Sequence, residues 1–264
     1  MPTDLPARTP AGLLARALAA DPAGPLLTQY DDATGERIEL SATTLENWVA
    51  KTANLIQDGG VEPGSRAAVL LPPHWQTAAI LLGCWSAGLV VAAAGGSADL
   101  AFAGPDRLDE ALATGADEVY GLSLAPLAAP LRDVPPGVTD YATEVRVHGD
   151  RFAPYAPVDP ASAALAGASA QGAAPHATSQ EELVVAAVER AGELGLAAGD
   201  RLLIAAPSSG LDWLLAPLAA GASIVLCRHP DLHQLPQRAT AERVTSTVGI
   251  DVPGMHRADT APPS

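Results

Sequence analysis

Apolar side chains recur along this chain at spacings that name most of its elements. In "TTLENWVAKTANLIQDGG", residues 43–60, Leu45, Trp48, Val49, Thr52 and Ile56 line one face of a predicted helix. Thr43 and Glu46 stand at capping-box spacing, and Gly59 and Gly60 mark the stop. Lys51 falls off the apolar face, where solvent is expected. Upstream, a short helix is predicted around Leu13 to Ala19. A hairpin follows, with strands near Leu26 to Tyr30 and Arg37 to Leu40 and a turn from Asp31 to Gly35.

Two later stretches repeat one pattern. "GVEPGSRAAVLLPPHWQTAAILLGCWSAGLVVAAAG" begins at Gly60, and "GLAAGDRLLIAAPSSGLDWLLAPLAAGASIVLCRHPD" begins at Gly195. Each carries a glycine-bounded turn, an arginine (Arg66, Arg201), a short apolar strand, a proline (Pro72, Pro207), a helix with a tryptophan (Trp75, Trp213), an Ala-Gly turn and a second apolar strand. Strands that are apolar throughout, without alternation, are buried on both faces of parallel sheet. The predicted class is therefore α/β, with parallel or mixed sheets, helices on both faces and two similar β-α-β units at its centre.

Between these units, "DRLDEALATGADEVYGLS" predicts one more helix and strand, and the Pro-rich stretch after it reads as a linker. "TAERVTSTVGI" predicts a helix end and a last strand. The expected organisation is an N-terminal α/β lobe over 1–150, a second β-α-β lobe over 151–250, and a disordered tail over 251–264.

Composition narrows the function classes. A net charge of −15 disfavours nucleic acid, which is held mainly by Lys and Arg. Lys51 is the sole lysine. Cys84 and Cys227 each lie in an apolar run, which suits buried thiols in a reducing compartment. No run is long enough to span a bilayer, and the N-terminus lacks the pattern of a signal peptide, so the expected location is the cytoplasm.

With that order of elements in view, "TTLENWVAKTANLIQDGGVEPGSRAAVLLPPHWQTAAILLGCWSAGLVV" resembles the N-terminal region of the adenylate-forming superfamily, which includes acyl-CoA synthetases, luciferases and adenylation domains. "GDRLLIAAPSSGLDWLLAPLAAGASIVLC" is similar to the segment that follows that family's phosphate loop. The resemblance covers roughly residues 12 to 231 and implies carboxylate activation by ATP followed by transfer to a thiol. It also implies that "LAGASAQGAAPHATSQEEL", residues 165–183, occupies the place of the phosphate loop.

That loop is degenerate. Aligned on the proline, Ser169 matches a family hydroxyl and Pro175 the proline, but Ala170, Ala173 and Ala177 stand for glycines and His176 for the lysine. Aligned on Gly172, one glycine returns and Pro175 is misplaced. A mostly neutral imidazole replaces a permanent charge poorly. Thr178 or Ser179, with Glu181 or Glu182 three residues on, would cap the next helix internally, and those carboxylates would repel a triphosphate.

The family's ribose-binding segment and lysine-bearing C-terminal domain have no counterpart after position 231, and "YATEV", with Tyr141 and Glu144, precedes the loop and is read as coincidence. The expectation is a truncated, catalytically silent relative that serves as a scaffold or binding module, with a protein partner where the missing part would dock. ATP or AMP at Ser169, Gly172 and His176 is disfavoured. The alternatives are an adenylating enzyme completed by another chain and an acyl or small-ligand binding protein.

Two further stretches carry candidate chemistry. "CRHPDLH" gathers Cys227, His229, Asp231 and His233, but Pro230 interrupts it and no second ligand cluster completes a metal site. "PSSGLDW" lacks the glycine spacing of a nucleophile elbow, so Ser208 or Ser209 is expected to cap a helix. Trp75, Trp85 and Trp213 are expected in the core or at an interface.

Overall fold

The computed structural model describes residues 7–92, 96–166, 177–205 and 209–259. It is a mixed α/β structure with two sheets of mostly parallel strands. These belong to two compact units, one of Met1–Ala11 with Glu46–Leu183 and one of Gly12–Leu45 with Val184–Ser264.

In the second of these, α1 (Pro10–Ala20) leads to a hairpin of β1 (Pro25–Asp31) and β2 (Glu36–Ser41). The turn closes where the Gly35 N–H donates to Asp31 O at 2.8 Å, with φ +74° at Gly35, a conformation glycine adopts without strain. Although first in the chain, β1 lies parallel to β11 (Ser223–Arg228), pairing Leu27 with Ile224. Beyond β11 come β10 (Arg201–Ala205), β12 (Ser246–Val248) and β13 (His256–Arg257), giving the sheet order β13-β12-β10-β11-β1-β2. β13 falls within the segment 251–264, and the Arg257 guanidinium there bonds Asp251 and Asp259. Leu203, Ala205, Val225, Cys227, Leu235 and Ala239 pack the core on one side, with α8 (Leu235–Ala241).

The other unit holds most of α2 (Ala42–Asp58), on whose predicted apolar face Leu45, Val49, Thr52 and Ile56 are buried and Trp48 half-buried, and whose end is closed by Gly60 at φ +77°. Its cap differs from the expectation. Ser41 Oγ accepts the Thr44 N–H, while the Thr43 hydroxyl donates to the Pro22 carbonyl. Serine directly before the first turn leaves Thr43 already inside the helix. Lys51 also differs: half-buried, its ammonium donates to the His148 carbonyl at 2.5 Å.

Six parallel strands then build the second sheet: β3 (Arg66–Leu70), β4 (Val90–Ala92), β5 (Leu100–Ala103), β6 (Glu118–Gly121), β7 (Thr139–Asp140) and β8 (Ala163–Ala166). β9 (Ala177–Ser179) runs antiparallel at the edge, and the order is β7-β6-β5-β3-β4-β8-β9. Around them lie α3 (Trp75–Ser86), α4 (Leu108–Ala113) and α5 (Tyr141–Glu144). β5 has no signal in the pattern, because "LAFA" is buried at all four positions and too short to distinguish from a turn.

The repeated units fold alike, with parallel pairs β3/β4 and β10/β11. Their entry turns match bond for bond. The Gly64 N–H donates to Gly88 O at 2.8 Å and the Gly199 N–H to Gly221 O at 3.0 Å. The Val90 N–H donates to Ser65 O and the Ser223 N–H to Asp200 O. All four glycines have positive φ, between 75° and 90°. The helices differ: α3 is α-helical, whereas its counterpart opens with a π-helical turn at Leu211–Leu215 before α7 (Ala216–Ala220).

Candidate functional site

The place implied for the phosphate loop is framed by β8 on one side and by β9 and α6 (Gln180–Glu193) on the other. Ser169, Gly172 and His176 lie outside the described residues. β8 and β9 form an antiparallel pair, with Leu165 opposite Thr178 and Ala166 opposite Ala177, and β9 leads directly into α6. β8 is seated by the buried Trp85, whose indole N–H donates to Ala164 O at 3.0 Å.

The first turn of α6 is closed by its own side chains. Ser179 Oγ accepts the Glu182 N–H at 3.2 Å, and Glu182 Oε2 accepts the Ser179 N–H at 2.8 Å. This reciprocal pair is the capping box, and it selects Ser179 and Glu182 from the alternatives the sequence left open. Glu181 is gripped at both oxygens by the Arg8 guanidinium, at 3.0 and 2.8 Å. That hydrogen-bonded pairing with Arg8 holds the Glu181 carboxyl below its ordinary range. The helix end therefore carries the Glu181 and Glu182 side chains at a position that would otherwise attract an anion. Arg8 has no sequence signal, since 173 positions separate it from its partner.

The other candidates resolve into structural contacts. Cys227 and Cys84 are buried free thiols. His229, at φ +45°, places Nδ1 2.9 Å from Asp31 Oδ1. The Asp231 carboxylate accepts the His233 N–H at 3.0 Å and Gln234 Nε2 at 2.9 Å. Among the described residues, no three His, Cys, Asp or Glu side chains are grouped to hold a metal ion. Ser208 lies outside the described residues. Ser209 is a cap: its hydroxyl accepts the Asp212 N–H at 3.3 Å and donates to the Asp212 carboxylate at 3.1 Å, while Arg190 Nε donates to that buried carboxylate at 2.6 Å. Trp75, Trp85 and Trp213 are buried, and Tyr141 is a core residue whose hydroxyl meets that of Thr52 at 2.7 Å. No helix among the described residues is long and apolar enough to cross a membrane.

Such an arrangement of β-α-β units, with a strand and helix after β8, is similar in fold to the N-terminal part of AMP-forming acyl-CoA synthetases. An anthranilate CoA ligase, AuaEII, solved in complex with anthranoyl-AMP, superposes with a TM-score of 0.71 at 13% identity, over 91% of this chain and 49% of the ligase. An acyl-CoA synthetase from Brucella canis gives a TM-score of 0.71 at 17% identity, over 91% and 47%. Acetoacetyl-CoA synthetase from Streptomyces lividans gives 0.71 at 22%, over 91% and 42%. The chain spans about half the length of these ligases.

No family model matches the sequence. A protein of Mycobacterium tuberculosis (strain ATCC 25618 / H37Rv), described as a TIGR03089 family protein, is 47% identical over 238 residues, covering 86% of this chain and 93% of the relative. The chain belongs to the TIGR03089 family.

Proposed function

We propose that this chain is an acyl-CoA synthetase-like protein without adenylation activity of its own, acting as a scaffold or as a module that binds a partner. The observation that carries the reading is the first turn of α6, where Glu182 is committed to the capping box and Glu181 to Arg8. Lysine supplies the mobile charge in the phosphate loop of the superfamily that the sequence resembles, yet residues 165–183 contain none, and the one lysine of the chain bonds the His148 carbonyl. The chain spans about half of each ligase, and a partner at the place of the remainder is part of the proposal.

The competing reading is an adenylating half-enzyme completed by another chain, with Ser169, Gly172 and His176 as its phosphate contacts. ATP-pyrophosphate exchange over a panel of carboxylic acids, beside calorimetric titration with ATP and AMP, separates the two. The expected result is no exchange and no nucleotide heat. Acid-dependent exchange by the purified chain would overturn the silent reading, and tight nucleotide binding without exchange would replace the scaffold with a nucleotide sensor.

A further inference from the structure

Residues 148–162 run along α2 and are fastened to it by a series of side-chain hydrogen bonds, with Phe152 and Val158 half-buried. Lys51 donates to His148 O, Asn54 Nδ2 to both Gly149 O and Arg151 O at 2.9 Å, and Gln57 Nε2 to Ala153 O at 3.5 Å, while Gln57 Oε1 accepts the Tyr155 N–H at 3.3 Å. Asp58 meets the His148 imidazole at 2.9 Å. Positions 51, 54 and 57 share one face of the helix, so the ladder runs along the segment.

Little apolar surface backs these contacts. Ala153 to Pro157 are all exposed, and Tyr155 is 85% exposed. At the far end, the Pro160 and Ser162 carbonyls accept the Glu181 and Gln180 N–H groups. β8 follows directly, pairs among the described residues with β4 through Val91 and Leu165 and with β9 through Ala163, Leu165 and Ala166, and has Trp85 as its peg. A segment with few buried apolar contacts and many exposed hydrogen bonds opens at low free energy.

We propose that residues 148–166 form one opening unit, a strap ending in β8, that lifts from α2 and α3 together and is pinned by Asn54 and Trp85. Its hinge is the buried turn of α5 around Tyr141 and Val145, both fully enclosed. A ligand that competed for Asn54 and Gln57 would thereby unfasten the strand that precedes residues 167–176.

The test is native-state hydrogen exchange on the full chain and on Asn54→Ala. The amides of Gln180 and Glu181 donate to strap carbonyls yet lie far from Asn54 in sequence, so they report whether the strap moves as a unit. Loss of two hydrogen bonds is expected to speed their exchange, with that of β8, by about tenfold or more. Leu122 and Val90, bonded to Ala103 O and Ser65 O, serve as references and should not change. Gln57→Ala, a milder lesion, should give the same pattern at smaller size. Acceleration confined to 149–155 would overturn the proposal, because the strap would then open without β8. Equal acceleration at Leu122 in both variants would overturn it too, because the segment would then open only with the whole sheet.

Discussion

Glu242 offers a quantitative test of how β1, β2 and β10 are tied together. Its carboxylate, 8% exposed, accepts from Arg201 at 2.5 Å, Arg37 at 2.9 Å and the Tyr30 hydroxyl at 2.5 Å. Burial disfavours the charge, but the hydrogen bonds from Tyr30, Arg201 and Arg37 outweigh it and bring the pKa from 4.5 to about 2. A lowered folded-state pKa means stability that is complete well above 4.5 and is lost as pH falls toward about 2. The difference is worth about 3 kcal/mol at neutral pH and about 2 kcal/mol near pH 3.5. Glu242→Gln keeps the shape and removes the titration. Urea unfolding of both proteins should therefore give a gap of about 3 kcal/mol at pH 7 that narrows by about 1 kcal/mol at pH 3.5. A gap of the same size at both pH values would refute the reasoning, since the loss would then come from packing rather than charge.

Ser179→Ala removes one half of the capping box and should lower stability by about 1 kcal/mol in urea unfolding, with nucleotide titrations unchanged. Cys84 is fully buried and its thiol is pushed up to about 12, and burial raises Cys227 as well. Both should resist a disulfide reagent at neutral pH until the chain unfolds, with labelling rates that rise with urea. Rapid labelling of either native thiol would show that its surroundings are wrongly described.

Much of the fold was legible because burial writes itself into sequence by period. The hairpin, the apolar face of α2 and the two β-α-β units all follow from spacing, and the glycines supply the turns. β5 and the short β7 were not legible, because strands of four and two residues carry too little pattern to stand out from turns. The cap of α2 was misplaced by two residues, from Ser41 to Thr43, since both have the right chemistry and only the backbone decides between them. Around α6 the sequence allowed two pairings at capping-box spacing, Thr178 with Glu181 and Ser179 with Glu182, and the structure uses the second. Arg8 and the ladder of Lys51, Asn54 and Gln57 were invisible for a plainer reason. Their partners are distant carboxylates or backbone carbonyls, which leave no signature at the donor's own position.

The paired turns at Gly64–Gly88 and Gly199–Gly221 make the molecule its own control. Backbone angles and bonding are shared, so substituting alanine at Gly88 or at Gly221 imposes the same conformational strain. What differs is the neighbour: a Cβ at Gly88 would stand 3.2 Å from the Pro63 Cβ, while one at Gly221 would stand 3.6 Å from the Ala198 Cβ. The difference between the two variants therefore isolates a few tenths of an ångström of crowding from the cost of the left-handed backbone, a separation that two unrelated proteins could never give.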